Sequence, residues 1–231
     1  MVTTGKIIGI IQCRMTSTRL PAKAMLDLGG ETLLDRVLLR AKKSNFLDEI
    51  WIATSIDKEN DIIEKHLKDT GCNIFRGSRD DVLKRFCGCI KEATADYVVR
   101  ITADNPFTET KFIDLGIAYM LVNDCDYVSF KNIPYGSGVE VIKADALIRV
   151  DQKPATNEDR EHVTKYILNN QHSFNVQIIE PPWEDLKRPD IRATIDTIED
   201  YLRIKEFYSL CQQNDSLNNY IHFIDNYKKW K

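Results

Sequence analysis

Lys6-Ile7-Ile8-Gly9-Ile10-Ile11-Gln12 is a short apolar run rich in β-branched residues, and it gives way to Cys13-Arg14-Met15-Thr16-Ser17-Thr18-Arg19-Leu20-Pro21-Ala22-Lys23. The run predicts a buried strand, and the basic, polar stretch behind it predicts a loop at that strand's carboxyl end. Gly29-Gly30 then breaks the chain before residues 31–43, ETLLDRVLLRAKK. There Leu33, Leu34, Val37, Leu38 and Ala41 recur at helical spacing and basic residues gather at the C-terminal end, the pattern of an amphipathic helix. Strand, loop and covering helix make the first unit of an α/β fold.

The unit repeats. Strand-like runs at 49–54, 72–75, 97–102 and 127–130 alternate with helical stretches at 58–68, 80–93 and 110–122, which predicts a mainly parallel sheet covered by helices on both faces and joined by right-handed crossovers. Beyond Lys131 the rhythm loosens. A turn-rich NIPYGSG, a strand-like 139–142, a short helix at 145–150 and a longer amphipathic helix at 157–169 come first. Late strands at 174–179 and 191–195, separated by PPWEDLKRPD, and a closing helix at 197–212 follow. A chain of 231 residues fits one α/β core. We read 1–231 as a single domain, with about 132–185 as a small inserted lobe for acceptor binding or dimerisation.

Charge narrows the function classes. Thirty-two Lys and Arg against thirty-five Asp and Glu leave a formal charge of −3, so no global basic field exists to hold a nucleic-acid backbone, and an anionic partner must be bound locally. No apolar run approaches the ~18–20 residues of a membrane-spanning helix, and the start leads directly into a strand without a signal-peptide pattern, so a cytoplasmic location is expected. The six cysteines are scattered, and Cys87-Gly-Cys89 lacks the paired spacing of a zinc or redox motif. They read as reduced, mostly buried small hydrophobes.

Ligands of parallel α/β sheets collect at the carboxyl ends of the strands, which is where the loop of residues 13–23 falls. Arg14, Arg19 and Lys23 place three cations on it, and Ser17, Thr18 and backbone N–H groups add neutral donors, a composition suited to a triphosphate. Basic loop residues can also be no more than solvated. The segment is neither a Walker A loop nor a dinucleotide fingerprint.

Further along, Asp80 and Asp81 stand at a helix start, where they can cap the helix or serve a site. Asp104 follows a predicted strand, with Pro106 ending it. A carboxylate there can bridge Mg²⁺ to phosphates or simply make a turn. Asp196 precedes the closing helix and can be a ligand or an N-cap. Glu161 and His162 lie on an amphipathic helix, where such residues are often structural.

Arg14-Met15-Thr16-Ser17-Thr18-Arg19-Leu20-Pro21-Ala22-Lys23 resembles the R-x-x-S-T-R-L-P-x-K signature of 3-deoxy-manno-octulosonate cytidylyltransferases, with Ala22 where Gly is common. Three more stretches agree in order. Residues 77–86, GSRDDVLKRF, are similar to G-S-x-x-D-V-L-x-R-F; residues 100–107, RITADNPF, to R-x-T-x-D-x-P; and residues 191–200, IRATIDTIED, to R-x-T-[IV]-D-T-x-E-D. Residues 158–164, EDREHVT, and Gly138-Val139-Glu140-Val141 resemble the spore coat polysaccharide (SpsF) branch of the acylneuraminate and octulosonate cytidylyltransferase family. The similarity runs from about residue 6 to 207.

The resemblance implies a three-layer, Rossmann-like nucleotide-diphospho-sugar transferase fold. It also implies an Mg²⁺-dependent cytidylyltransferase that joins CMP from CTP to a small acidic acceptor, a nonulosonate- or octulosonate-type sugar acid, and releases pyrophosphate for polysaccharide biosynthesis. On that reading Arg14 and Lys23 are the CTP phosphate ligands, Ser17 and Arg19 line the same loop, Thr102 also binds the nucleotide, and Ser78, Asp81 and Arg85 recognise or brace the cytidine. Asp104 and Asp196 hold the metal, with Arg14, Lys23 and Asp104 catalytic. Sialic-acid relatives often carry D-x-D where Thr194 and Asp196 stand. Glu140, Glu161 and His162 face the acceptor, and a homodimer is expected. The competing readings are a nucleotidyltransferase for a sugar 1-phosphate or phosphonate, and a metal-dependent glycosyltransferase, for which Asp124-Cys125-Asp126 is the candidate Asp-x-Asp motif.

Overall fold

Residues of the first strand, β1 (Ile7–Gln12), face two ways. Ile7 and Ile11 join one buried cluster and Ile8 and Ile10 another, as the two-residue period of a strand demands when both faces of its sheet are covered. The computed structural model describes residues 5–17, 19–153, 155–211 and 215–227. Thr18, read above as a phosphate donor, and Gln212, the predicted end of the closing helix, lie outside the described residues.

Among the described residues the sheet has seven strands. With β2 (Glu49–Ser55), β3 (Asn73–Gly77), β4 (Tyr97–Thr102), β5 (Tyr127–Phe130), β6 (Glu140–Lys143) and β7 (Val176–Ile179), the order is β3-β2-β1-β4-β6-β5-β7. β3, β2, β1 and β4 are mutually parallel, and β5 pairs parallel with β7. β6 runs antiparallel to both its neighbours, β4 and β5. That reversal sets the start of β6 beside the end of β4, with Arg100 opposite Glu140.

One face is covered by α1 (Leu33–Ala41), α2 (Asp61–Leu67), α4 (Thr110–Asn123), α8 (Ile198–Leu210) and α9 (Leu217–Tyr227). The other carries α3 (Val82–Ala93), α5 (Ala144–Asp151) and α7 (Lys165–Asn169). Side chains such as Leu33, Leu34 and Val37 are completely buried, each worth roughly 1.5–3 kcal/mol relative to exposure. Thr32 caps α1 in a reciprocal box with Asp35. No helix among the described residues is long and apolar enough to cross a membrane. The six cysteines are free, and burial pushes the thiols of Cys13, Cys87 and Cys89 up to about 12, which keeps them from acting as thiolates.

Two expectations are corrected. The helix predicted over 157–169 is two, α6 (Asn157–His162) and α7, broken at Val163 with φ 57° and ψ −57°. Thr164 N donates to His162 O at 2.5 Å, closing a strained γ-turn at a buried β-branched residue. Thr164 is thereby free to donate its hydroxyl to Glu140 (3.0 Å). The strand predicted at 191–195 is extended chain with a single bridge, Arg192 to Tyr135. Its hydrogen bonds go to two separate loops, through Ala193 N to Tyr135 O (2.7 Å) and Ile195 N to Asp104 O (2.9 Å), so no ladder forms.

Candidate active site

The loop after β1 is held by its own backbone and by one buried side chain. Ala22 N and Ser17 N both donate to Met15 O, at 2.8 and 3.2 Å. Met15 N donates to Oδ1 of the fully buried Asn60 (2.9 Å), whose Nδ2 in turn donates to Ser55 Oγ (2.7 Å). Ala22 sits in the left-handed region, φ 56° and ψ 20°, a conformation glycine adopts without steric cost; this accounts for the Gly common there in the resembled signature. A 3-10 turn, Lys23–Met25, follows with Ala24 buried beneath it, and this turn sends Lys23 inward.

β4 delivers Asp104 to the same place. Asn105 N donates to Thr102 O (3.2 Å) and Asn105 Nδ2 to Thr102 Oγ1 (2.7 Å), forming a tight turn past the strand end. Phe107 anchors it, with ring centroids 5.4, 5.6 and 4.1 Å from Phe207, Tyr208 and Tyr220. Residues 194–195 are stitched to Asp104 O by Ile195 N and, at 3.3 Å, by Thr194 Oγ1, which brings Asp196 alongside.

Lys23 Nζ lies between the two acids. It donates to Asp104 Oδ2 at 2.8 Å, Asp196 Oδ1 at 3.2 Å and Ile195 O at 2.9 Å. Asp196 also accepts from Arg19 Nη2 (3.1 Å) and Arg192 Nη2 (2.7 Å). Burial opposes its ionisation, but the Lys23 ammonium and hydrogen bonds from Lys23 and Arg192 outweigh burial and hold its carboxyl below the usual range. Asp196 is not the cap of α8. Thr197 is, in a reciprocal box with Asp200. Asp200 also accepts from Arg192 and Arg203 (2.7 Å to the latter), contacts that overcome its burial and bring its carboxyl down to about 2.

An open cleft of about 930 Å³ joins these groups. Arg14, Ser17, Arg19, Lys23, Arg85, Thr102, Asp104, Glu140, Glu161, His162 and Asp196, all predicted site residues, line it. Arg14 faces Glu161 across 3.6 Å, a largely exposed pair of little energetic weight. Arg85 is buried and donates to Ser78 O (2.6 Å) and Arg79 O (3.0 Å), while its Nε finds no acceptor among the described residues. Burial, followed by the nearby Arg14, lowers its pKa. Ser78 and Asp81 are not among the cleft-lining residues. Asp81 caps α3 by accepting from Lys84 N (2.9 Å) and takes a second bond from Arg160 Nε (2.6 Å), and Ser78 Oγ accepts from Asp81 N (3.3 Å).

The floor of the cleft pairs Glu140, expected above to face the acceptor, with Arg100, which sequence reading left without a role. Arg100 donates through Nε to Gln12 Oε1 (3.0 Å) and through Nη1 to Glu140. Glu140 accepts further from Tyr127 and Thr164. Burial disfavours its charge, yet Arg100 and these hydrogen bonds keep the carboxyl below its ordinary range. The available signal was an isolated Arg in YVVRIT and an isolated Glu in VEVI, opposite charges on apolar strands that need partners. Asp124 and Asp126 do not line the cleft; they pair with Lys143 and Arg149.

The described residues hold no group of three or more His, Cys, Asp or Glu fit for a metal. Asp104 and Asp196 nonetheless offer hard oxygen donors to one shared cationic position. That donor set suits a Mg²⁺ ion that keeps waters and shares phosphate oxygens.

The family model described as Cytidylyltransferase matches residues 8–226. An uncharacterized protein of Methanocaldococcus jannaschii is 45% identical over 223 residues, covering 95% of this chain and 90% of that protein. The spore coat polysaccharide biosynthesis protein SpsF of Bacillus subtilis is 40% identical over 207 residues, 87% of this chain and 86% of its own length. Among solved structures, a cytidylyltransferase from Leptospira borgpetersenii superposes with a TM-score of 0.85 at 29% identity, covering 97% of this chain and 94% of that one.

Proposed function

The chain belongs to the cytidylyltransferase family, and from that premise we propose that it joins CMP from CTP to a small sugar acid of the nonulosonate or octulosonate type, releasing pyrophosphate. The product would feed surface polysaccharide or glycoconjugate synthesis in the cytoplasm. The observation that carries the reading is the convergence of Arg14, Arg19 and Lys23 from one loop with Asp104 and Asp196 in one cleft.

In-line transfer needs an acceptor oxygen to attack the α-phosphorus while the bond to the β-phosphate oxygen breaks and pyrophosphate departs. The protein's work is placement and charge neutralisation. Arg14, Arg19 and Lys23 receive the triphosphate at the carboxyl end of β1, and Lys23 and Arg14 offset charge accumulating on the departing pyrophosphate. Ser17 and Thr102 supply neutral donors beside it. Arg85 fixes the 78–79 backbone near the nucleotide, with Ser78 and Asp81 bracing that turn from behind. Asp104 and Asp196 would hold a Mg²⁺ ion, which would supply Lewis-acid neutralisation of the phosphates.

The acceptor occupies the other end of the cleft. Residues of the 132–185 region, with Glu140, Glu161 and His162, form its wall. Glu140, fully engaged by Arg100, Tyr127 and Thr164, acts by orienting Arg100 toward an acidic group. The same region is proposed as the dimer contact.

The test is pyrophosphate release from CTP and Mg²⁺ with a panel of sugar acids, sugar 1-phosphates and phosphonates. Release with a sugar acid is the expected result. Release confined to the phosphorylated acceptors would overturn the acceptor class, and cleavage of a nucleotide-sugar without use of CTP would overturn the reaction.

A further inference from the structure

Lys23 Nζ has three N–H donors and three acceptors, Asp104 Oδ2, Asp196 Oδ1 and Ile195 O, at 2.8, 3.2 and 2.9 Å. The ammonium is thus fully satisfied inside the carboxylate pair, with its side chain only 16% exposed. A divalent cation on the same two carboxylates would lie within a few ångströms of this charge, where like charges repel strongly in a partly buried site. Ion and ammonium therefore exclude each other.

Lysine suits an exchangeable role, being a compact charge on a flexible stem with no fixed fork to match. Arg192 donates to the other oxygen of Asp196, Oδ2, at 2.7 Å, so that acid keeps a partner while Lys23 moves. Resting on the proposed nucleotide chemistry of this cleft, we infer that Lys23 holds the metal's place in the nucleotide-free protein. Asp104 and Asp196 then accept a divalent cation only together with a nucleoside triphosphate whose phosphates draw Lys23 away. By linkage, the metal raises nucleotide affinity by the same factor as the nucleotide raises metal affinity.

The experiment is a titration with Mn²⁺ as probe, following free ion by electron paramagnetic resonance, on wild type, Lys23→Met and Lys23→Gln without nucleotide. Thermal melting verifies that each variant is folded, and the use of two uncharged replacements guards against a fault peculiar to one substitution. The expected result is weak Mn²⁺ binding by wild type and at least tenfold tighter binding by a folded Lys23 variant. Adding Asp104→Asn to that variant should cancel the gain. Equilibrium dialysis with labelled CTP should then show Mn²⁺ tightening CTP binding to wild type, and doing so far less in Lys23→Met.

Folded variants that bind Mn²⁺ no tighter than wild type would overturn the inference. So would a gain that survives loss of the Asp104 carboxylate. A wild-type protein that binds no CTP, with or without Mn²⁺, would sink the proposed function instead, while the nucleotide-free titrations still decide what Lys23 does.

Discussion

Asp104 and Asp196 share a lysine but differ in company, and the difference sets what their replacement should do. Among the described residues Asp104 pairs with Lys23 alone, whereas Asp196 is met by Lys23, Arg19 and Arg192. Asp104→Asn keeps the shape and removes one carboxylate charge from the proposed metal position. Turnover of CTP should fall at least ~10³-fold, with urea stability within about 1 kcal/mol of wild type; wild-type pyrophosphate release would remove Asp104 from the chemistry. Asp200 serves stability. Its carboxyl, held at about 2 against an ordinary 3.8, is a depressed acid, so its contribution is complete above about pH 4 and fades as pH falls toward about 2. That contribution is about 2 kcal/mol. Asp200→Asn should lose about that much at pH 7 and flatten the urea-stability profile on the acid side. Sequence exposed Arg14, Lys23, Asp104 and Asp196 because their types and order form a motif. It did not expose the partnership of Arg100 with Glu140, which depends on a strand order the chain does not announce.

One arginine links helix α6 to two neighbouring helices. Arg160 donates to Asp81 at the start of α3 (2.6 Å) and to Asp151 at the end of α5 (2.5 Å), tying three elements behind the proposed acceptor wall. Arg160→Met would leave two acids facing each other without their cation. We expect a loss of about 3 kcal/mol and faster hydrogen exchange over residues 157–169, with the Michaelis constant for the acceptor rising more than that for CTP. Equal rises would deny α6 its proposed acceptor side. Among elements, β4 and β5 were legible to the residue, because β-branched and aromatic runs bounded by polar residues leave little choice. The break at Val163 was not. A valine at positive φ carries no local signal, and the turn it makes is set by a distant contact, Thr164 on Glu140, that local pattern does not show. The segment 191–195 read as a strand because it is extended, and extension without a neighbouring strand cannot be told apart in one sequence. Helix α9 lies beyond the elements read from the sequence, although its buried Leu217, Tyr220, Ile221 and Ile224 follow helical spacing.

Across the molecule, the carboxylate centre is supported by an aromatic knot between the turn after β4 and the last two helices. Phe107 is fully buried and packs on Phe207, Tyr208 and Tyr220. Phe107→Ala should cost about 3–5 kcal/mol and also reduce turnover, since the Asp104 turn loses its anchor; a stable variant with full activity would separate the knot from the site. The two-faced layering was legible from the alternation of strands and helices, whereas the reversal of β6, which seats Glu140 against Arg100, was not, because pattern carries no strand direction. The link from Lys23 to Asp196 spans 173 positions. The proposed centre therefore cannot assemble in a nascent polypeptide until Asp196 has emerged from the ribosome, and a product lacking the carboxyl-terminal third lacks that carboxylate.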